Sequence, residues 1–229
     1  MFGMLKKEKF INKLVKAFPA SLSEDVKSLG KKLLESNPEN IFYQSHFWRP
    51  EKDGEYDKTC IWTLNNGEKI YIPFRVHFCS MIYLSSYNWL SEVEEIIFHC
   101  IFSRSGDGFA REGHLRVLLR MGADKYEWVK PYIISAAGEY VVEIVDMLYK
   151  EIDRDKTSEY REICKLNFEI TRVLHARMIA YWSGFYRFEC YYYKDYVGKK
   201  LFSEVFGMRK SGQKIIETND KYRLKGVRK

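Results

Sequence analysis

From Ser91 to Tyr192, large apolar residues recur every third or fourth position. Ile134, Ala137, Val141, Val145, Leu148 and Ile152 keep one phase; Ile163, Leu166, Ile170, Leu174, Met178, Tyr181, Phe185, Phe188 and Tyr192 keep another. A 3.6-residue period dictates amphipathic helices whose apolar stripes face a shared core. The first run predicts one helix from Pro131 to about Ile152, despite Gly138, with Pro131 in the first turn, where its missing N–H costs nothing. The second predicts a long helix opened by Ser158 and bent at Ser183-Gly184.

Smaller signals set the other elements. Met4 to Phe18 reads as a basic amphipathic helix ended by Pro19, with Leu14 and Phe18 on its apolar face. Ser21-Leu22-Ser23-Glu24 reads as a capping box opening a helix to about Glu35. Asn40 to Lys58 is irregular and aromatic. Residues 59–76, "TCIWTLNNGEKIYIPFRV", carry the single clear β signal. Two alternating β-prone runs flank Asn66-Gly67, and Pro73 ends or edges the second. A lone hairpin is marginal in water, so it must lie against other elements. Ser91-Glu92-Val93-Glu94 is a second capping box, for a helix to about Arg104. Asp107 caps the next helix, Gly108 to Met121, and Gly122 supplies its left-handed stop. The expected fold is mainly α: a helical bundle of antiparallel helix pairs plus one hairpin at about 59–76. It forms a single helical domain over residues 1–206, with a basic, loosely ordered tail over 207–229.

Residues 102–122, "FSRSGDGFAREGHLRVLLRMG", pose the functional question. Within them, Asp107, Ala110-Arg111, Leu115, Leu118, Leu119 and Gly122 resemble the second-helix signature of HEAT repeats. "WVKPYIISAAGEYVVEIVDML" is similar to the unit that would follow, although Glu143 stands where its Arg would fall. The resemblance covers about residues 91–152. It implies HEAT-like antiparallel helix pairs, an aspartate that caps its helix and pairs with a neighbouring arginine, and a helical face that binds a protein partner. A solenoid needs about three units or more, so the likeness is local. The turn itself reads first as a joint, in which Asp107 caps, Gly106 and Gly108 shape the chain and the arginines tie helices together. As a candidate anion or partner site it would use Arg104, Asp107, Arg111, His114 and Arg116, with backbone amides at the start of the 108 helix. The Asp107 carboxylate already fills the place an anion would take.

The net charge is +7, placed mostly at the ends: residues 1–32 hold eight Lys/Arg against three Asp/Glu, and residues 207–229 hold eight against two. Arg209, Lys210, Lys214, Lys221 and Arg223 belong to that basic tail, which makes a nucleic-acid partner the first alternative to a protein partner. An enzyme acting on a phosphorylated or nucleic-acid substrate is the second alternative, although no nucleophile–base spacing stands out. Five dispersed cysteines with no paired spacing argue for a reduced, cytoplasmic setting, with no disulfide framework and no metal site. No cofactor is expected, no apolar run reaches transmembrane length, and the oligomeric state is open. Between Tyr181 and Tyr196 stand six tyrosines, two phenylalanines and a tryptophan. They read as a helix buried around much of its girth; the competing reading is a stacking platform or protein-binding face.

Overall fold

The structure is a computed structural model that describes residue 8 and residues 11–36, 59–76 and 89–208. The first half of the N-terminal helix, the aromatic stretch 40–58 and the basic residues 209–229 lie outside the described residues. The described chain is mainly helical with one antiparallel hairpin. It divides into two compact units, Met1–Ala136 and Ala137–Lys229. Among the described residues no helix is long and apolar enough to cross a membrane.

In the first unit, helical residues 11–15 place Leu14 and, past a turn, Phe18 in the core. Phe18 stacks on Tyr132 at 5.5 Å, and the Tyr132 hydroxyl donates to the Ala17 carbonyl at 2.7 Å. A tight turn at Ala20–Leu22 leads into α1 (Ser23–Ser36). The capping box expected at Ser21–Glu24 does not form. The Glu24 carboxylate turns to Lys27 at 2.8 Å, Ser23 Oγ donates to the Ala20 carbonyl at 2.7 Å, and the Ala20 N–H donates to Glu68 Oε1 of the hairpin at 2.6 Å. Glu68 thus meets the N–H one residue before the one the box would have used, and the helix opens only at Ser23, behind the Ala20–Leu22 turn.

The hairpin pairs β1 (Thr59–Thr63) with β2 (Lys69–Pro73), Trp62 opposite Ile70. Its turn centres on Asn65-Asn66: the Gly67 N–H donates to the Leu64 carbonyl at 2.8 Å, and Gly67 follows in the left-handed region at φ +85°. Glycine fits that position because it has no Cβ to clash. Trp62, Leu64, Ile70 and Ile72 are buried while Ile61 and Tyr71 face out, the period-2 alternation of a half-buried ribbon. The Tyr71 N–H donates to the Lys16 carbonyl at 2.8 Å, so the hairpin is braced along β2 rather than left alone.

Next come α2 (Glu92–Phe102), α3 (Gly108–Arg120) and α4 (Lys130–Ala137). The Ser91 capping box forms as read: Ser91 Oγ accepts from the Glu94 N–H at 3.2 Å, and Glu94 Oε2 accepts from the Ser91 N–H at 2.9 Å. The same Glu94 carboxylate, buried, also takes Lys32 Nζ at 2.6 and 2.7 Å and Ser28 Oγ at 2.7 Å, which binds α1 to α2. Burial alone would raise its pKa; the Lys32, Ser91 and Ser28 donors outweigh burial and hold it below the ordinary value.

The second unit contains α5 (Val142–Glu151), α6 (Thr157–Leu166), α7 (Phe168–Tyr181) and α8 (Val197–Lys200), with wide turns at Trp182–Tyr186 and Leu201–Val205. Its core gathers Ile144, Leu148, Tyr160, Ile163, Leu174, Met178, Leu201 and Phe202. The single helix expected from Pro131 to Ile152 is broken at residues 138–141. A Cβ at Gly138 would stand 2.7 Å from Leu174 Cδ2, so the backbone comes close to α7 there. The loose ends are tied by one side chain: the Tyr186 hydroxyl donates to the Tyr140 carbonyl at 2.5 Å and accepts from the Val142 N–H at 3.3 Å. The long helix expected from Ser158 also breaks, at buried Asn167 (φ −114°, ψ 45°), whose Nδ2 donates back to the Ile163 carbonyl at 3.0 Å. The bend expected at Ser183-Gly184 takes the form of the wide turn at Trp182–Tyr186.

Two outcomes follow for stability. Glu94→Ala removes a cap acceptor, leaves Ser28 without its acceptor and leaves Lys32 only the Trp89 carbonyl, so urea unfolding at pH 7 should show a loss of about 2–3 kcal/mol. Because the folded pKa is depressed, that contribution is present above about pH 4.5 and disappears as pH falls through the folded value, so wild type and variant should converge in acid. Gly138→Ala would gain about 1 kcal/mol if the segment were an open helix. Against Leu174 it should instead destabilise by about 1–3 kcal/mol, read as a lower urea midpoint.

Candidate functional site

The 103–111 turn is built around two buried arginines. Arg104 leaves the end of α2 and turns inward. Its Nη2 donates to the Phe74 carbonyl at 2.7 Å, its Nε to the Pro73 carbonyl at 3.3 Å, and its guanidinium stands 5.9 Å from the Phe74 ring centroid. The backbone repeats the tie: the Val76 N–H donates to the Arg104 carbonyl at 2.7 Å, and the Gly106 N–H donates to the Val76 carbonyl at 2.9 Å. Arg111, one turn into α3, sends Nη1 back to the carbonyls of Ser105 and Gly106 at 2.9 and 3.0 Å. Asp107 caps α3 through Oδ1, which accepts from the Phe109 N–H at 2.9 Å.

Arg104, Asp107 and Arg111 are thus brought together, as the sequence suggested, and each serves the joint between hairpin, α2 and α3. Arg116 points elsewhere and holds Glu112 at 2.6 Å, an ordinary pair one turn apart on the helix. His114 meets His99 of α2, with 2.7 Å between their Nδ1 atoms, and its ring lies against Phe98 and Phe102. At that distance one nitrogen carries the proton and the other accepts it. Burial pushes both rings down, His114 to about 4 and His99 to about 3, the latter also through its neighbour's charge. Among the described residues no three His, Cys, Asp or Glu side chains stand close enough together to hold a metal ion.

A different place draws the eye on exposure. Of the aromatic residues between Tyr181 and Tyr196, Trp182, Tyr193 and Tyr196 are buried, but Phe188 is 99% exposed, Phe185 66%, Tyr191 64% and Tyr192 61%. The expectation of a helix buried around its girth fails here. The wide turn at Trp182–Tyr186 swings the following rings away from the stripe that Leu174 and Met178 begin. The turn is nonetheless well anchored. Trp182 Nε1 donates to the Cys190 carbonyl at 2.9 Å, and the Arg187 guanidinium sits 5.7 Å from the ring centroids of both Trp182 and Tyr191. Lys194 Nζ lies 5.4 Å from Tyr192, and the Tyr191 and Tyr192 rings meet edge to face at 5.1 Å. An exposed aromatic patch held in one shape marks an interaction surface more often than an accident of packing. The signal legible beforehand was the Ser183-Gly184 pair, which promised a bend just ahead of these rings. No protein-family model, no curated protein and no solved structure matches the chain.

The histidine pair has a measurable consequence. Both rings are neutral when folded, whereas the unfolded chain protonates near the ordinary value of 6.5. Their stabilising contribution is therefore complete above pH 6.5 and is lost as pH falls toward 4, at about 1.4 kcal/mol per pH unit for each ring. Urea midpoints between pH 6.5 and 5 should slope steeply in wild type and less in a His99→Leu/His114→Leu double variant.

Proposed function

We propose that the chain is a non-enzymatic helical binding protein and that its docking surface is the aromatic turn at 185–192. The observation that carries this reading is the near-complete exposure of Phe188 beside three other exposed rings, on a turn fixed by Trp182 and Arg187. Residues 137–208 around the turn are close to neutral, with eleven Lys/Arg and twelve Asp/Glu. Aromatic rings with an arginine among them and little net charge are the composition of a protein–protein interface core. The HEAT-like helix pair α2–α3 supports the same class of role as scaffold, with the Arg104–Asp107–Arg111 turn as its joint.

One observation favours a second reading. The eight Lys/Arg of residues 207–229 follow in sequence on this near-neutral stretch, and a polyanion would be gripped there through charge. Short single- and double-stranded DNA and RNA, titrated over a salt series against the full chain and a chain ended after Phe206, separate the two readings. Tight binding that collapses with salt and with truncation would make the tail the functional element.

The main reading predicts a split between folding and binding. A Phe185→Ser/Phe188→Ser double variant should keep its urea midpoint within about 0.5 kcal/mol of wild type, since exposed side chains contribute little to the core. It should lose the proteins that the immobilised wild-type chain retains from a lysate of cells that express it. Equal retention by both chains would end the proposal.

A further inference from the structure

The second unit buries a histidine that is tied to the aromatic turn. His175 of α7 has its Nε2 3.2 Å from the Tyr193 hydroxyl, and its ring lies 4.9 Å from that of Phe202. His175 and Tyr193 are both buried. Tyr193 opens a short turn, Tyr193–Asp195, directly after the docking segment. Its ring meets that of Trp182 at 5.0 Å, and Trp182 in turn holds the Cys190 carbonyl and lies beside Arg187. A run of contacts thus leads from His175 to the turn that carries Phe185, Phe188, Tyr191 and Tyr192.

The groups around His175 make a charge on it costly. On α7 itself, Arg172 is exposed and holds Glu169, and Arg177 is half-buried. On α8, Lys199 bears directly on the ring, whereas Lys200 bears on Cys190. Lys194, Asp195 and Glu204 are exposed, and Glu204 takes the Tyr149 hydroxyl at 2.7 Å. Burial pushes the Tyr193 and Tyr196 phenols and the Cys164 thiol up, so all three stay neutral. A proton on the buried ring would therefore add a second cation beside Lys199. Burial first, and Lys199 second, push the ring down to about 4, whereas a ring that reaches water returns to the ordinary 6.5. The two aromatic covers of His175 differ in how firmly they are held. Phe202 belongs to the packed core with Leu201 and Val205. Tyr193 sits in a segment whose backbone bonds at Cys190, Asp195 and Tyr196 reach back three or four residues, and its neighbours Tyr191, Tyr192, Lys194 and Asp195 face water. Segments of that kind open before a core does.

Resting on the reading of 185–192 as a docking surface, we infer that His175 and Tyr193 form an acid-sensitive latch, which holds the docking rings in place near neutral pH and frees them when acid draws His175 out to water. His175 is a positioning residue in this device: it touches no partner and acts through Tyr193 and Trp182.

Amide hydrogen exchange followed by NMR on the full chain tests the latch. Between pH 7.5 and 5, protection at the Cys190 and Tyr196 amides, corrected for the intrinsic rate, should fall about thirtyfold, as a single ring at about 4 when latched and 6.5 when free requires. The Leu174 and Met178 amides of α7 should not follow. His175→Gln keeps a hydrogen-bonding amide but takes no proton, so the fall should vanish. Lys199→Met, which removes the neighbouring cation, should make it shallower. Equal falls in wild type and His175→Gln, or loss at Cys190 only in step with Leu174 and Met178, would overturn the inference. Exchange reads the latch without any partner, so a latch found on a chain that retains no protein at pH 7.5 ends the docking reading alone. Proteins retained at pH 7.5 should be released at pH 5 by wild type and kept by His175→Gln. Release by both chains, or by neither, would overturn the link between latch and docking.

Discussion

Arg104 is buried with its guanidinium on the carbonyls of Pro73 and Phe74, and the first unit is organised around that contact. The end of a two-stranded ribbon leaves carbonyls that no third strand will take, and an unmet buried carbonyl is costly. A buried guanidinium is costly too, unless several acceptors surround it. Each solves the other's problem. Arg111 does the same from the α3 side for Ser105 and Gly106, and the Val76–Ser105 backbone bridge runs between them. Hairpin, α2 and α3 are thus joined through hydrogen bonds with defined directions, which specify one arrangement where apolar contact alone would tolerate several.

The second unit meets the same demand with neutral groups. The Tyr186 hydroxyl serves both a donor and an acceptor at the break between α4 and α5, and the Asn167 amide closes the end of α6. Neither carries a charge that must be kept in water, so each breaks a helix at little desolvation cost. The price of this economy is precision in packing, because Gly138 sits against Leu174, and Gly198 against Met178, with no room for a Cβ.

What was legible in the sequence was local. The Ser91–Glu94 box, the Asp107 cap and the Gly122 stop are decided within a few residues, and the hairpin by one turn and two alternating runs. The Ser21–Glu24 box has the same letters but fails, because the chain makes a tight turn at Ala20–Leu22, braced at the Ala20 N–H by the distant Glu68, and the Glu24 carboxylate goes to Lys27. The breaks at 138–141 and Asn167 escaped for a related reason: apolar spacing can keep its phase across a short interruption, and the groups that stabilise the interruption come from elsewhere. Of the candidate site, the clustering of Arg104, Asp107 and Arg111 was readable from spacing, whereas the inward turn of both guanidiniums depends on where the hairpin's carbonyls end. The exposure of Phe185 and Phe188 was read the wrong way round, since α-helical spacing from Leu174 and Met178 leads straight to them.

That misreading identifies what the wide turn at Trp182–Tyr186 does. The π-type turn is wider than the α-helix it closes, and it hands the chain to a non-helical turn at 187–190, so the helical phase that Leu174 and Met178 set does not carry on to Phe188. The outward face of Phe185 and Phe188 is then a matter of where α7 ends as much as of residue type.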